Sequence, residues 1–166
     1  MNTSEPEPEP EPEPDRAPTA HDEAYYAEQP VWAVVGASNA RHKYGNRIYR
    51  TLREAGYRVY AVNRHQAIIE GDTAYARVTD LPEAPDVVNL VVPPDRALAV
   101  VQDAHEAGAK AVWFQPGAED AAAAAWATAH GMDVIHACIL VAHNRRGPGA
   151  IPPAAIPPAV PPPAAP

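Results

Sequence analysis

The sequence predicts a three-layer α/β domain, an open parallel sheet of about five strands with helices on both faces. Three observations carry this prediction. Short apolar runs recur without polar alternation, as in Val31–Val35 and residues 57–62, and such runs suit strands buried on both faces. Helical stretches separate the runs, and they close on Gly56, Gly108 and Gly131, which implies crossover connections and parallel strands. The prolines, 21 in all, crowd the ends, with seven between residues 6 and 30 and nine between 148 and 166. Dense proline fixes φ and removes backbone donors, so those ends cannot join a core.

The elements follow in order. Residues 17–29 are polar, with a short helix around residues 23–28. Val31–Val35 is the first strand and stops at Gly36. Residues 46–55 form a helix with Ile48, Tyr49, Leu52 and Ala55 on one face, closed by Gly56. Residues 57–62 are the second strand. Residues 63–85 are less regular, with Ile68–Ile69, a turn at Gly71 and Asp72, and a short strand at residues 73–76. Residues 86–92 are a strand halted by Pro93 and Pro94. A helix over residues 95–107 carries Leu98, Val101, Ala104 and His105 at helical spacing. Residues 110–115 are a strand halted by Pro116 and Gly117. An alanine-rich helix over residues 118–130 and a strand over 132–136 complete the order.

This divides the chain into an acidic Glu-Pro tail (1–29), a folded domain (30–146) and a Pro/Ala tail (147–166), with both tails expected to be disordered. The net charge of −8 belongs to the first of these, since residues 1–30 hold nine acids and one base. Residues 31–166 hold twelve of each and are neutral. Within them, residues 41–64 carry seven bases against Glu54 alone, a local excess that favours an anionic ligand. Arg50 and Arg53 read instead as a solvated helix face. Cys138 is the single cysteine, so no intrachain disulfide can form, and a reducing, cytoplasmic setting is expected. No apolar run reaches the roughly 18 residues of a membrane span, and the Glu-Pro start is unlike a signal peptide.

Open parallel sheets bind ligands beyond the carboxyl ends of their strands, where the strand order reverses. Those ends are Gly36-Ala37-Ser38, Asn63-Arg64, Pro93-Pro94 and Gln115-Pro116-Gly117. Gly36 lets the main chain approach a ligand. Ser38 offers a hydroxyl, and the loop runs into a helix N-terminus near Gly45 and Asn46, where free N–H groups favour phosphate. Arg41 and Lys43 add positive charge, Tyr44 can stack on an adenine although a loop aromatic is not decisive, and His42 and His65 are candidate phosphate neighbours with a solvated loop as the alternative. A plain strand-to-helix turn also uses Gly and Ser, so this loop is not decisive alone. The spacing is not G-x-G-x-x-G and no GxxxxGK[ST] loop exists. Asn63 and Arg64 stand where NAD-binding sheets usually carry an acid. This disfavours NAD and permits a nucleotide with a phosphate on its ribose, coenzyme A or NADP.

Five stretches in order give a resemblance. They are Val34-Val35-Gly36-Ala37-Ser38-Asn39, Gly56-Tyr57-Arg58-Val59-Tyr60-Ala61-Val62-Asn63, Asp86-Val87-Val88, Gly108-Ala109-Lys110-Ala111-Val112-Trp113-Phe114-Gln115-Pro116-Gly117, and Gly131-Met132-Asp133-Val134-Ile135-His136-Ala137-Cys138. Together they resemble the small stand-alone CoA-binding proteins, relatives of the N-terminal domain of the succinyl-CoA synthetase α subunit. The resemblance implies a Rossmann-like fold that binds coenzyme A with its diphosphate near the first loop. The binding residues expected are Gly36, Ala37, Ser38, Lys43, Tyr44, Asn63, Arg64, Pro93, Gln115 and Gly117. The chain departs from the family at Val92-Pro93-Pro94, at Arg64 and after Cys138.

Cys138 lies past the last strand and is a candidate for a mixed disulfide with the CoA thiol; a buried small hydrophobe is the equal alternative. His136 and His143 flank it, but no metal spacing exists and no metal is expected. His105 reads as a helix-face residue, and Trp113, Phe114 and Trp126 read as core. The resulting expectation is non-catalytic binding of CoA or acyl-CoA. The alternatives are an NADP-dependent oxidoreductase and an accessory subunit of an acyl-CoA ligase. Nucleic acid is a minor option, because the domain is neutral and lacks interleaved aromatics. A protein partner for the proline-rich tails and a homodimer stay open.

Overall fold

β1 (Val31–Val35) occupies the middle of the sheet because all five of its residues are apolar and buried. It pairs in parallel with β2 (Arg58–Val62) on one side and β5 (Val87–Leu90) on the other. β6 (Ala111–Phe114) and β7 (Asp133–His136) extend the sheet past β5, also in parallel. Beyond β2 lies β4 (Asp72–Tyr75), parallel to it, and then β3 (Ile68–Ile69), antiparallel to β4. The order is β3-β4-β2-β1-β5-β6-β7. The computed structural model describes residues 22–146. The rest of both expected tails lies outside the described residues.

Two helical layers cover the sheet. On one face α2 (Tyr44–Glu54) buries Ile48, Tyr49 and Leu52, with α1 (Glu23–Tyr26) and α5 (Ile139–Arg146) beside it. They meet Trp32, Val34, Val87 and Trp113 from the strands. On the other face α3 (Pro94–Glu106) and α4 (Ala121–Ala129) pack over Ala33, Val88, Leu90, Val112 and Phe114. Strand residues therefore alternate between two apolar cores, as an internal parallel sheet requires. The three-layer class is as expected from the sequence.

Several details differ from the sequence reading. The sheet has seven strands, because residues 68–75 form a β3–β4 hairpin at the edge. α5 was not expected; Ile139 and Ala142 bury one face of it, and its His143 ring meets Tyr57 edge-on at 6.3 Å. Residues 22–29, placed in the acidic tail by composition, pack on the domain. Tyr26 and Ala27 are buried, the Tyr26 hydroxyl donates to Asp133 at 2.7 Å, and the Tyr57 hydroxyl donates to the Ala27 carbonyl. Two tyrosines outweigh the charged residues around them. Trp126 is half-buried, packs against the second core and stacks on His130 at 3.6 Å.

Trp113 is wholly buried, lies 5.4 Å from the Trp32 ring, and its Nε1 donates to the Ala137 carbonyl at 2.9 Å. Trp113→Ala should therefore lose about 3–5 kcal/mol of stability in urea titration of the full chain. A loss under 1 kcal/mol would mean the ring is not a core element.

Candidate functional site

β2 lies on one side of β1 and β5 on the other, so the strand order reverses between β1 and β5. The chain leaving β1 there has no room for a side chain. Gly36 has φ +98°, and a Cβ on it would stand 2.1 Å from the Val91 carbonyl oxygen. A Cβ on Gly45 would stand 2.1 Å from the Gly36 carbonyl oxygen. Two glycines thus bring β1, the end of β5 and the first turn of α2 together. Main-chain bonds hold the junction, with Gly36 N–H donating to Val62 O at 3.1 Å and Val91 N–H to Val35 O at 2.9 Å.

Two helix N-termini open on this point. α2 follows Lys43 and α3 follows Pro93, and neither has a side-chain cap. By contrast α1 and α4 are capped by Asp22 and Asp120. An uncapped helix start presents free N–H groups and the positive end of the helix dipole to an anion. Around it, the basic stretch divides. Arg41 forms a double hydrogen bond with Glu70 at 2.9 and 3.0 Å, Arg53 meets Asp72 at 2.7 Å, and Arg58 meets Glu83 at 2.7 Å. Arg50 donates to Asn46 Oδ1 at 2.7 Å. Arg50 and Arg53 are therefore tied into the structure rather than merely solvated. Lys43, Arg47 and Arg64 have no ion-pair partner among the described residues. The cationic rim is three residues, with the Arg47 guanidinium 5.3 Å from the centre of the Tyr44 ring.

The structure gathers the residues expected from the sequence along the carboxyl end of the sheet, with different duties. Ala37 is buried and presents only its main chain. Ser38 Oγ accepts from Ala40 N–H at 3.3 Å. Tyr44 is 61% exposed beside the uncapped helix start. Asn63 spends its amide internally, donating to Ala37 O at 2.8 Å and accepting from His65 N–H at 2.7 Å, so it fastens β2 to the first loop. Arg64 stays exposed with its Nε donating to His65 at 3.0 Å. Residues 91–93 and 115–118 line a cleft of about 240 Å³ that includes Pro93, Gln115 and Gly117. Gly117 N–H donates to the Glu119 carboxylate at 2.7 Å. Cys138 is half-buried just after β7. His136 stacks on Phe114 at 5.2 Å, and His42 and His65 are exposed on the rim. Among the described residues no group of three or more His, Cys, Asp or Glu could hold a metal, and no helix is long and apolar enough to cross a membrane.

Sequence reasoning missed the clamp on the first loop. Asn46, wholly buried, donates to Ser38 O at 2.7 Å and to Glu70 Oε1 at 2.8 Å. Asn39 donates to Ile68 O and accepts from Glu70 N–H, both at 2.8 Å. The β3–β4 hairpin thus grips the loop through its turn residue Glu70. An amide at the start of an apolar helix face was the one available signal, at Asn46. Nothing local marks Glu70.

Residues 30–144 match the family model described as CoA binding domain. The chain belongs to that family. Over 81 residues this CoA binding domain is 35% identical to the acetate–CoA ligase (ADP-forming) II subunit alpha of Pyrococcus furiosus, a stretch covering 48% of this chain and 18% of that protein. Over 82 residues it is 40% identical to acetate–CoA ligase (ADP-forming) I of Archaeoglobus fulgidus, covering 49% of this chain and 12% of that one. The matched part is under a fifth of either curated relative. Among solved structures, a conserved hypothetical protein of Pyrococcus furiosus is 41% identical with a TM-score of 0.64, covering 68% of this chain and 97% of its own. A hypothetical protein of Pyrococcus horikoshii is 32% identical with a TM-score of 0.70, covering 72% and 85%. The fold is Rossmann-like, and a role related to coenzyme A goes with the family.

Hydrogen bonds from Arg41 and then Asn46 hold the Glu70 carboxyl well below its usual 4.5, at about 2, with the charges of Arg41 and Arg50 adding to this and desolvation opposing it. A depressed folded-state value stabilises above the unfolded value and is lost as pH falls through the folded one. The hairpin clamp should hold fully above about pH 4.5 and weaken towards pH 2. Glu70→Gln should flatten that acid limb when urea midpoints are compared across this range; an unchanged profile would mean the carboxylate is not coupled to folding.

Proposed function

We propose that this domain binds coenzyme A across the carboxyl end of its sheet and does not itself catalyse a reaction. The observation that carries the reading is the pair of uncapped helix N-termini, α2 and α3, opening on the β1/β5 reversal beside Lys43, Arg47 and Arg64. Such a site suits a diphosphate near Gly36, Ala37 and Ser38. Arg64 at the end of β2 suits the phosphate on the ribose, and Tyr44 suits the adenine. The arm then crosses β5 and β6 through the cleft of Pro93, Gln115 and Gly117. A single cysteine and this ligand favour a cytoplasmic setting.

The arm's direction also bears on Cys138. From β1 to β7 is three strand spacings, about 14 Å, so a thiol at the end of the arm arrives near Cys138, two residues past β7. In the redox form of the proposal, the Cys138 thiolate attacks one sulfur of a CoA disulfide. A Cys138–CoA disulfide forms and a CoA thiolate leaves. A second reading, accessory subunit of an acyl-CoA ligase, is favoured by the likeness to two acetate–CoA ligases; a larger chain co-purifying with this one would support it. The NADP alternative has no observation of its own beyond the shared ribose phosphate.

Thermal shifts with CoA, dephospho-CoA, NADP and NAD test the main reading. CoA should stabilise most, and Arg64→Ala should weaken CoA about tenfold while leaving dephospho-CoA nearly unchanged. Stabilisation by NADP without CoA would overturn it. Incubation with CoA disulfide should give a CoA adduct on Cys138 by mass spectrometry, absent in Cys138→Ser; no adduct on the native chain ends the redox form.

A further inference from the structure

Asn89 is the one polar residue of β5, and it is 0% exposed. It sits in register between Val34 of β1 and Trp113 of β6, the centre of the sheet. A buried amide there is costly unless hydrogen-bonded, and an apolar residue would pack without that cost. Its Oδ1 accepts from Gln115 Nε2 at 2.7 Å, while its Nδ2 has no partner among the described residues. The sheet thus keeps a half-satisfied amide whose recorded partner is Gln115.

Gln115 links that amide to the cleft. It is only 4% exposed, yet it helps line the cleft between residues 91–93 and 116–118. Its main chain is fixed at both ends, with N–H donating to Leu90 O at 3.2 Å and the carbonyl accepting from Ala118 N–H at 2.9 Å. One hydrogen of Nε2 goes to Asn89. The second N–H and Oε1 are taken by no described residue. Gln115 therefore brings one donor and one acceptor to the cleft, held in orientation before any ligand arrives. That pair is the complement of a ligand amide, which offers one acceptor and one donor.

We propose that Gln115, oriented by Asn89 from beneath, reads an amide in the arm of the ligand, so that the cleft selects an amide-bearing thiol arm over nucleotides that lack it. The proposal rests on the coenzyme A reading, since phosphates over the first loop and adenosine towards β2 leave the arm to cross β5 and β6. Asn89 is a positioning residue here, and Gln115 is the one that touches the ligand.

Calorimetry on the full chain tests this with three probes: CoA, 4′-phosphopantetheine, which keeps the arm alone, and adenosine 3′,5′-bisphosphate, which lacks the arm. Gln115→Met and Asn89→Leu should each weaken CoA and phosphopantetheine about tenfold and leave the bisphosphate within about twofold. A purely structural role would weaken all three alike, and that result would overturn the proposal. So would Gln115→Met leaving the CoA to bisphosphate ratio unchanged; that variant alters the cleft wall and keeps Asn89 in place should Asn89→Leu not fold. If the native chain binds the bisphosphate and not CoA, the coenzyme A reading itself fails, a result distinct from a failure at Gln115.

Discussion

The main chain at Gly36 passes so close to the end of β5 that a single added carbon would lie 2.1 Å from the Val91 oxygen. This approach is what lets the first turn of α2 settle against β1, through Gly45, and what places the start of α3 opposite it. A Cβ at Gly36 would have to push back the chain at Val91, and one at Gly45 would push α2 from the first loop, each by about 1 Å to reach ordinary contact. Much of the candidate site is main chain for this reason, and its geometry is set by backbone packing rather than by the choice of a few reactive side chains.

A loop built on close approach still needs something to stop it from moving. The β3–β4 hairpin does this from the sheet edge, through Glu70. That residue holds φ 49°, in a region where side chains are uncommon. Glycine would adopt it more readily but would remove the bonds to Arg41 and Asn46. The local conformational cost is offset by long-range hydrogen bonds, which tie the edge of the sheet to the first loop.

The sequence carried the central strands and the three long helices well, because burial on both faces leaves an unbroken apolar run and a helix leaves a periodic one. Val31–Val35 and the face of Ile48, Tyr49 and Leu52 are of this kind. It carried the edges poorly. Ile68–Ile69 is too short for any period, and Ile139 and Ala142 mark α5 only once Tyr57 is beside them. The charge of the candidate rim could not be read locally. Seven bases against one acid looked like a strong field, but Glu70, Asp72 and Glu83 lie outside that stretch and pair with three of them. Asn63 lies at the end of β2, yet its amide faces inward, since direction depends on a neighbour 26 residues away in the chain. Asn89 was invisible as a polar site because a strand's pattern reports which face is buried, and not what waits there.

α1 packs against the opposite pole of the molecule. Its Tyr26 meets Asp133 at the first residue of β7, and Ala27 meets Tyr57 just ahead of β2. The described chain therefore enters beside the amino ends of the strands, a full strand length from the cleft. A surface tether or fluorescent reporter attached at Asp22 would begin on the side facing away from the first loop and the cleft. This makes the N-terminal side the natural handle for immobilising the protein with its cleft turned outward.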